Sequence, residues 1–156
     1  LASAGSKTPA VPWTFQFKPA LLNVYAGRLA AGEALFSLAE AKLLDRHAGL
    51  RRVRDVLVFD PVHCYRLPGY IDIVDHLTSL GWDRNSFWPL GGHLFCLHVV
   101  AAMGLAGAEL TPFAFYPFSG LFTGAMIGEG RSNPPDIPGI GFELNDGARR
   151  AFKTLT

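Results

Sequence analysis

Four ionisable residues stand where short apolar runs give way to turns: Glu33, Asp60, His93 and Glu109. His93 follows residues 87–90 and the pair Gly91-Gly92, which lets the backbone bend where a Cβ would clash. Histidine is the side chain that gains and loses a proton near neutral pH. In α/β folds the groups that do chemistry gather just past the carboxyl ends of strands. His93 with Asp60 and Glu33 as acidic partners is therefore a candidate acid–base site. Each residue also has a plainer use. His93 would serve as a helix cap or core histidine, Asp60 before Pro61 as a turn cap, and Glu33 as a solvated carboxylate.

Positioning these residues takes alternating strands and helices. Residues 28–31 read as a short buried strand that stops at Gly32-Glu33, after a stretch 20–26 that would finish a helix at Gly27. Ser37 is placed to cap a helix through Ala48, with Glu40 completing a capping box and Gly49 ending the helix. Residues 56–59 are a continuous apolar run of the kind buried on both faces of a parallel sheet, and they end at Asp60-Pro61. A helix with Pro68 near its start runs to about Leu80, with Ile71, Val74, Leu77 and Thr78 facing inward. Beyond the glycine turn, Leu94, Leu97, Val100 and Ala101 recur at helical spacing. Residues 108–111 offer a further strand carrying Glu109, followed by an aromatic, proline-rich loop through Phe122. Two prolines and two glycines kink the run 136–141, and a short basic helix starts at Asp146 with Arg149, Arg150 and Lys153 on its solvated face. Residues 1–20, interrupted by Pro9, Pro12 and Pro19, leave an edge strand and disorder equally open.

Repeated strand–helix alternation predicts an α/β fold whose parallel sheet has helical crossovers. If that sheet is part of a barrel, all its strands present their carboxyl ends at one mouth, where the four ionisable residues would converge.

The 156 residues suit one ordinary domain, and 49% hydrophobic against 17% charged residues is enough to build a core. With 14 basic and 13 acidic residues the net charge is +1, which points to neither nucleic acid nor an anionic membrane surface. No apolar run approaches the roughly 20 residues of a membrane span. Cys64 and Cys96 lack paired-ligand spacing and are expected as reduced thiols, which fits a cytoplasmic protein. The opening residues 1–5 lack a starting methionine and the order of a signal peptide, as though cut from the middle of a longer chain.

Gly32-Glu33-Ala34-Leu35-Phe36-Ser37, Phe59-Asp60-Pro61, Gly91-Gly92-His93-Leu94 and Pro135-Asp136-Ile137-Pro138-Gly139-Ile140-Gly141-Phe142-Glu143 succeed one another in the order of the enolase superfamily. Within it they look most like the mandelate racemase subgroup, which includes muconate lactonizing enzyme, and more narrowly like acid-sugar dehydratases of the D-tartrate dehydratase type. The resemblance implies the C-terminal half of a (β/α)8 TIM barrel over residues 21–125. Residues 126–156 would be the C-terminal segment of an α+β capping domain, and residues 1–20 are unmatched, either disordered or out of frame. By the same resemblance Glu33 matches a magnesium ligand, a hard oxygen donor for Mg2+. Asp60 and His93 match the catalytic dyad, in which the aspartate orients the imidazole, and Glu109 matches a carboxylate that touches substrate. The implied chemistry removes a proton α to a carboxylate of a small hydroxy acid, with Mg2+ stabilising the enediolate, and the histidine protonates the departing hydroxyl.

Several positions depart from that pattern. Two further metal-ligand carboxylates and the catalytic lysines have no counterpart, and residues 1–20 contain no Asp or Glu. Ala34 stands in place of a usual asparagine and Leu90 in place of a common second histidine. The expectation is thus a piece of a magnesium-dependent hydro-lyase that holds Mg2+ poorly and is inactive alone. A non-catalytic remnant, a subunit that completes its barrel by association, and a racemase or epimerase parent remain as alternatives. Half a barrel would expose two sheet edges for self-association and leave inward residues such as Val56 and Val58 without an opposing wall.

Overall fold

A computed structural model of the chain describes residues 6–7, 24–109, 128–141 and 146–154. Most of residues 1–20, nearly all of the helix expected before Gly27, Leu110 and Thr111 of the expected last strand, and the loop through Phe122 lie outside the described residues.

The fold is α/β. Strands β1 (Ser6–Lys7), β2 (Leu29–Ala31) and β3 (Val56–Leu57) form a parallel sheet in that order. Ser6 pairs with Leu29, Ala30 with Val56 and Ala31 with Leu57. A parallel bridge from Leu57 to Phe87, with Trp88 N–H donating to Leu57 O at 2.8 Å, sets the next stretch of chain beside β3. Successive segments therefore lie side by side and point the same way. Parallel neighbours cannot be joined by a tight hairpin, and from β2 onward successive neighbours are bridged by helices.

Those helices are α1 (Leu38–His47) between β2 and β3, and α2 (Arg66–Ser79) between β3 and Phe87. Helix α3 (Leu94–Met103) follows the glycine turn, and α4 (Asp146–Lys153) lies near the end of the chain. Ser37 caps α1 as its sequence promises: its Oγ accepts from Glu40 N–H at 3.3 Å, and Glu40 Oε2 reaches back to Phe36 N–H at 2.6 Å. Such a cap stabilises a helix by about 1 kcal/mol.

Side chains alternate across the strands. Ala31, Leu57, Phe59 and Phe87 face the helices and join Leu44, Tyr70, Ile73, Val74, Leu77 and Val99 in the main core. Ala30, Val56 and Val58 face the other way and pack with Trp88 and Leu90. Val56 and Val58 are each only 8% exposed, so the expectation that this inner face lies wet does not hold.

Two helix faces differ from the sequence reading. On α2 the buried stripe is Tyr70, Ile73, Val74 and Leu77, while Ile71 is 36% exposed. The i, i+3, i+4, i+7 spacing starts one residue earlier than expected because Tyr70 supplies the first inward position. On α3, Leu94, Cys96, Leu97 and Val99 are buried and Ala101 is exposed. That helix is apolar nearly all round, so spacing alone does not single out its buried face.

The sheet's entry side is fastened by an ion pair between a buried aspartate and a half-buried arginine, absent from the sequence reading. Asp55, fully buried, accepts from Leu29 N–H at 2.9 Å, from Arg51 N–H at 2.7 Å and from the Arg51 guanidinium at 2.7 Å. Arg51 also donates to Gly27 O at 2.6 Å, tying the starts of β2 and β3 together.

Candidate proton-transfer site

Parallel strands place residues 32–33, 60 and 91–93 past the same edge of the sheet. Asp60 follows the buried residues Val58 and Phe59 and is itself 4% exposed. Its Oδ1 accepts from Val62 N–H at 2.7 Å, and Cys64 N–H donates to Asp60 O at 3.0 Å, so the carboxylate is held in a tight turn. Beyond that turn Tyr65 and Arg66 take positive φ values of 55° and 68°, a costly conformation for side-chain-bearing residues. Such strained backbone commonly flanks functional groups.

His93 is the N-cap of α3. Its Nδ1 accepts from Cys96 N–H at 3.3 Å, so the neutral ring carries its proton on Nε2. Nε2 in turn faces Asp60 Oδ1 at 3.6 Å, an ion-pair separation. The plain and the chemical readings of these two residues are thus both true, because each uses a different atom for capping and for pairing. Burial alone would raise the Asp60 pKa. The His93 ring, the Val62 N–H and the charges of His93 and His63 outweigh it and hold the carboxyl below its ordinary value.

Two neighbours escaped the sequence reading. His63 has Nδ1 3.6 Å from Asp60 Oδ2, and its ring meets Phe36 edge-on at 5.5 Å. Asp60 therefore stands between two imidazoles. Cys96, one helical turn past His93, brings Sγ to 3.7 Å from Nε2 while its thiol donates to Leu90 O at 3.0 Å. Burial first, then the charge of Asp60, pushes the Cys96 thiol up and keeps it protonated. The signal in each case was a spacing of three residues, from Asp60 to His63 across a turn and from His93 to Cys96 on a helix.

Glu33 lies exposed in the turn after β2. Glu109 is exposed too, and its N–H donates to Pro89 O at 3.0 Å, which sets residues 107–109 beside the segment leading to His93 as irregular chain. Mg2+ takes about six oxygen ligands in near-octahedral array. Among the described residues, the group of three or more potential ligands is Asp60, His93 and Cys96, which excludes Glu33 and brings nitrogen and sulfur. That set does not fit magnesium.

Gly91 keeps the pair accessible. It sits at φ 119°, and a Cβ there would lie 2.6 Å from His93 Nε2 and 3.1 Å from Asp60 Oδ2. Gly91→Ala should therefore swing the imidazole away from Asp60, and the backbone strain should cost on the order of 1–3 kcal/mol. Imidazole 15N spectra of His93 with a thermal melt check this; an unchanged ring environment would contradict it.

Acid should weaken the fold through the same carboxylate. Asp60, Asp55 and Asp45 all have pKa values lowered against the pull of burial, Asp55 by Arg51 and by the backbone N–H groups of Leu29 and Arg51, Asp45 by Arg52 and Trp82. A lowered native pKa means the unfolded chain binds more protons in the window between the two values. The stabilisation is then complete above the unfolded value of about 3.9 and is lost as pH falls through the native values. Urea midpoints should be flat from about pH 6 to 5 and fall below about pH 4. Asp55→Asn should flatten that fall; an equally steep limb would show that these carboxylates do not drive it.

No protein-family model matches the sequence. Among solved structures the chain is similar to L-talarate dehydratase from Polaromonas sp. JS666, complexed with Mg and L-glucarate, with a TM-score of 0.69 and 23% identity. It is equally similar to a mandelate racemase/muconate lactonizing enzyme from Polaromonas sp. JS666, with a TM-score of 0.70 and 23% identity. Each match covers 92% of this chain, and it spans 38% and 37% of those proteins' lengths. The chain therefore shares the fold of part of these two proteins. The Asp60–His93 pair lies past the carboxyl ends of its parallel segments. Among the described residues no helix is long and apolar enough to cross a membrane.

Proposed function

We propose that the chain carries the proton-transfer half of an enolase-superfamily active site of the acid-sugar dehydratase type. The supporting observation is the Asp60–His93 pair, 3.6 Å apart, at the carboxyl ends of neighbouring parallel segments. The substrate class is a small hydroxy-carboxylate, in keeping with a fold neighbour bound to L-glucarate.

In this reading His93 is the acid–base group and Asp60 its charge partner. Proton uptake occurs at Nδ1, which then ceases to accept from Cys96 N–H; that N–H keeps a backbone partner in His93 O at 3.0 Å. The resulting imidazolium lies beside the Asp60 carboxylate and has a proton to give from Nε2, the nitrogen that Gly91 leaves uncovered. A departing hydroxyl that meets this edge would be protonated as it leaves. Glu33 and Glu109 are proposed to face substrate or metal only in a completed barrel, because the described residues offer Mg2+ no all-oxygen ligand set. A racemase parent is the second reading, since the two solved neighbours match the chain equally well and the same base serves that reaction.

Titration with L-glucarate and tartrate, followed by 1H–15N spectra, tests the proposal. Perturbed resonances should cluster on Asp60, His63, Gly91, Gly92 and His93 and vanish in His93→Asn. No 2-oxo acid should form from the chain alone. Perturbations scattered elsewhere, or unaltered by His93→Asn, would refute the assignment.

A further inference from the structure

We propose that Asp60, His93 and Cys96 form a binding site for a thiophilic divalent cation of the Zn2+ class, distinct from the magnesium chemistry of the fold. The three ligand atoms lie within 4.8 Å of one another. His93 Nε2 is 3.6 Å from Asp60 Oδ1 and 3.7 Å from Cys96 Sγ. Zinc bonds of about 2.0–2.2 Å to O and N and 2.3 Å to S give tetrahedral edges of about 3.4–3.6 Å. Both measured edges thus need only a few tenths of an ångström to close around one ion.

The donors also have the right chemistry. Nitrogen, thiolate and carboxylate together suit zinc or cobalt, whereas magnesium asks for oxygens alone. Three protein ligands leave a fourth position to solvent, the arrangement of open zinc sites. Glycine at position 91 keeps a Cβ from crowding Nε2.

Binding has a definite proton balance. The Cys96 thiol releases its proton to solvent and forms the metal–sulfur bond. The Nε2 proton is transferred, through solvent, to Nδ1 as the Nε2 lone pair takes up the metal. Nδ1 then stops accepting from Cys96 N–H, and His93 O remains as that group's acceptor at 3.0 Å. The cation's charge also offsets what Asp60 does to the thiol. Occupancy takes Nε2 out of proton transfer, so Zn2+ would silence the dyad while leaving the fold in place.

Cobalt(II) titrated into the whole 156-residue chain is the test, because a thiolate–cobalt bond absorbs in the near ultraviolet and tetrahedral cobalt absorbs in the visible. Both bands should appear at one equivalent, release about one proton or slightly less from the thiol, and disappear when Zn2+ is added. Cys96→Ser should abolish the near-ultraviolet band, and His93→Gln should weaken cobalt binding by more than the roughly 10-fold that losing an outer partner costs. Cys64→Ser should retain both bands, since Cys64 Sγ contacts Leu35 O and stands outside the triad. Should Cys96→Ser fail to fold, 15N spectra of the unmodified chain serve instead: Zn2+ must shift His93 Nε2 and leave exposed His47 unmoved. No thiolate band in the unmodified chain, or one that survives Cys96→Ser, overturns the site. These readouts need no substrate, so their failure is separate from any failure of the dehydratase reading.

Discussion

Asp55→Ala should remove about 2–5 kcal/mol of folding free energy, because each donor left without its acceptor costs about 1–3 kcal/mol. The carboxylate is fully buried and accepts from two backbone N–H groups, those of Leu29 and Arg51, and from the Arg51 guanidinium. Deleting it leaves each donor without its acceptor, and an unsatisfied buried donor costs more than an ordinary hydrogen bond contributes. Arg51 would keep only its bond to Gly27 O among the contacts described. A domain of this size is stable by about 5–15 kcal/mol in total, so the variant should unfold at far lower urea or not fold at all. Asp55→Asn keeps the shape and one acceptor oxygen and should lie between the two. A loss below about 1 kcal/mol in Asp55→Ala would mean that the network is not closed as the geometry implies.

Gly69→Ala should destabilise the chain, although helix propensity alone favours alanine by about 1 kcal/mol. Gly69 lies in the first turns of α2, where the carbonyl of Cys64 crosses close to its Cα. A Cβ there would fall within hard contact of Cys64 O and 3.1 Å from Cys64 C, and backbone cannot step aside as a side-chain tip can. Overpacking of this kind costs typically about 1–3 kcal/mol and sometimes more, which reverses the sign that propensity gives. The displacement would also travel. Cys64 N–H bonds Asp60 O, and His63 pairs with Asp60 Oδ2, so moving this turn moves the carboxylate that faces His93. The variant should therefore combine a lower thermal midpoint with altered His93 imidazole spectra. A raised midpoint would show that the Cys64 carbonyl has room to retreat.

Much of the framework was legible in the sequence because local chemistry decides it. Ser37 and Glu40 form a capping box within four consecutive residues, and no distant contact is needed to place it. The apolar run at 56–59 had to be buried on both faces, and Gly91-Gly92 had to turn the chain into a helix. Strand–helix alternation was sufficient to imply a parallel sheet, since parallel neighbours require long crossovers. His93 and Asp60 were recognisable as strand-end residues for the same reason.

What joined them was decided by packing between segments far apart in sequence. Register across the sheet, Ala31 against Leu57 and Leu57 against Phe87, brings Asp60 within 3.6 Å of a histidine 33 positions later. Nothing local states that Asp55 should accept the N–H of Leu29, 26 residues away, or which side of a uniformly apolar α3 turns inward. Cys96 reads as one more apolar residue until the cap geometry of His93 points Nε2 back at its sulfur. Local rules thus determined which residues end strands and begin helices, because caps, turns and periodicity act over a few residues. Which side chains share a site was settled only by tertiary structure, because close packing and buried-charge pairing depend on segments that the chain order keeps apart.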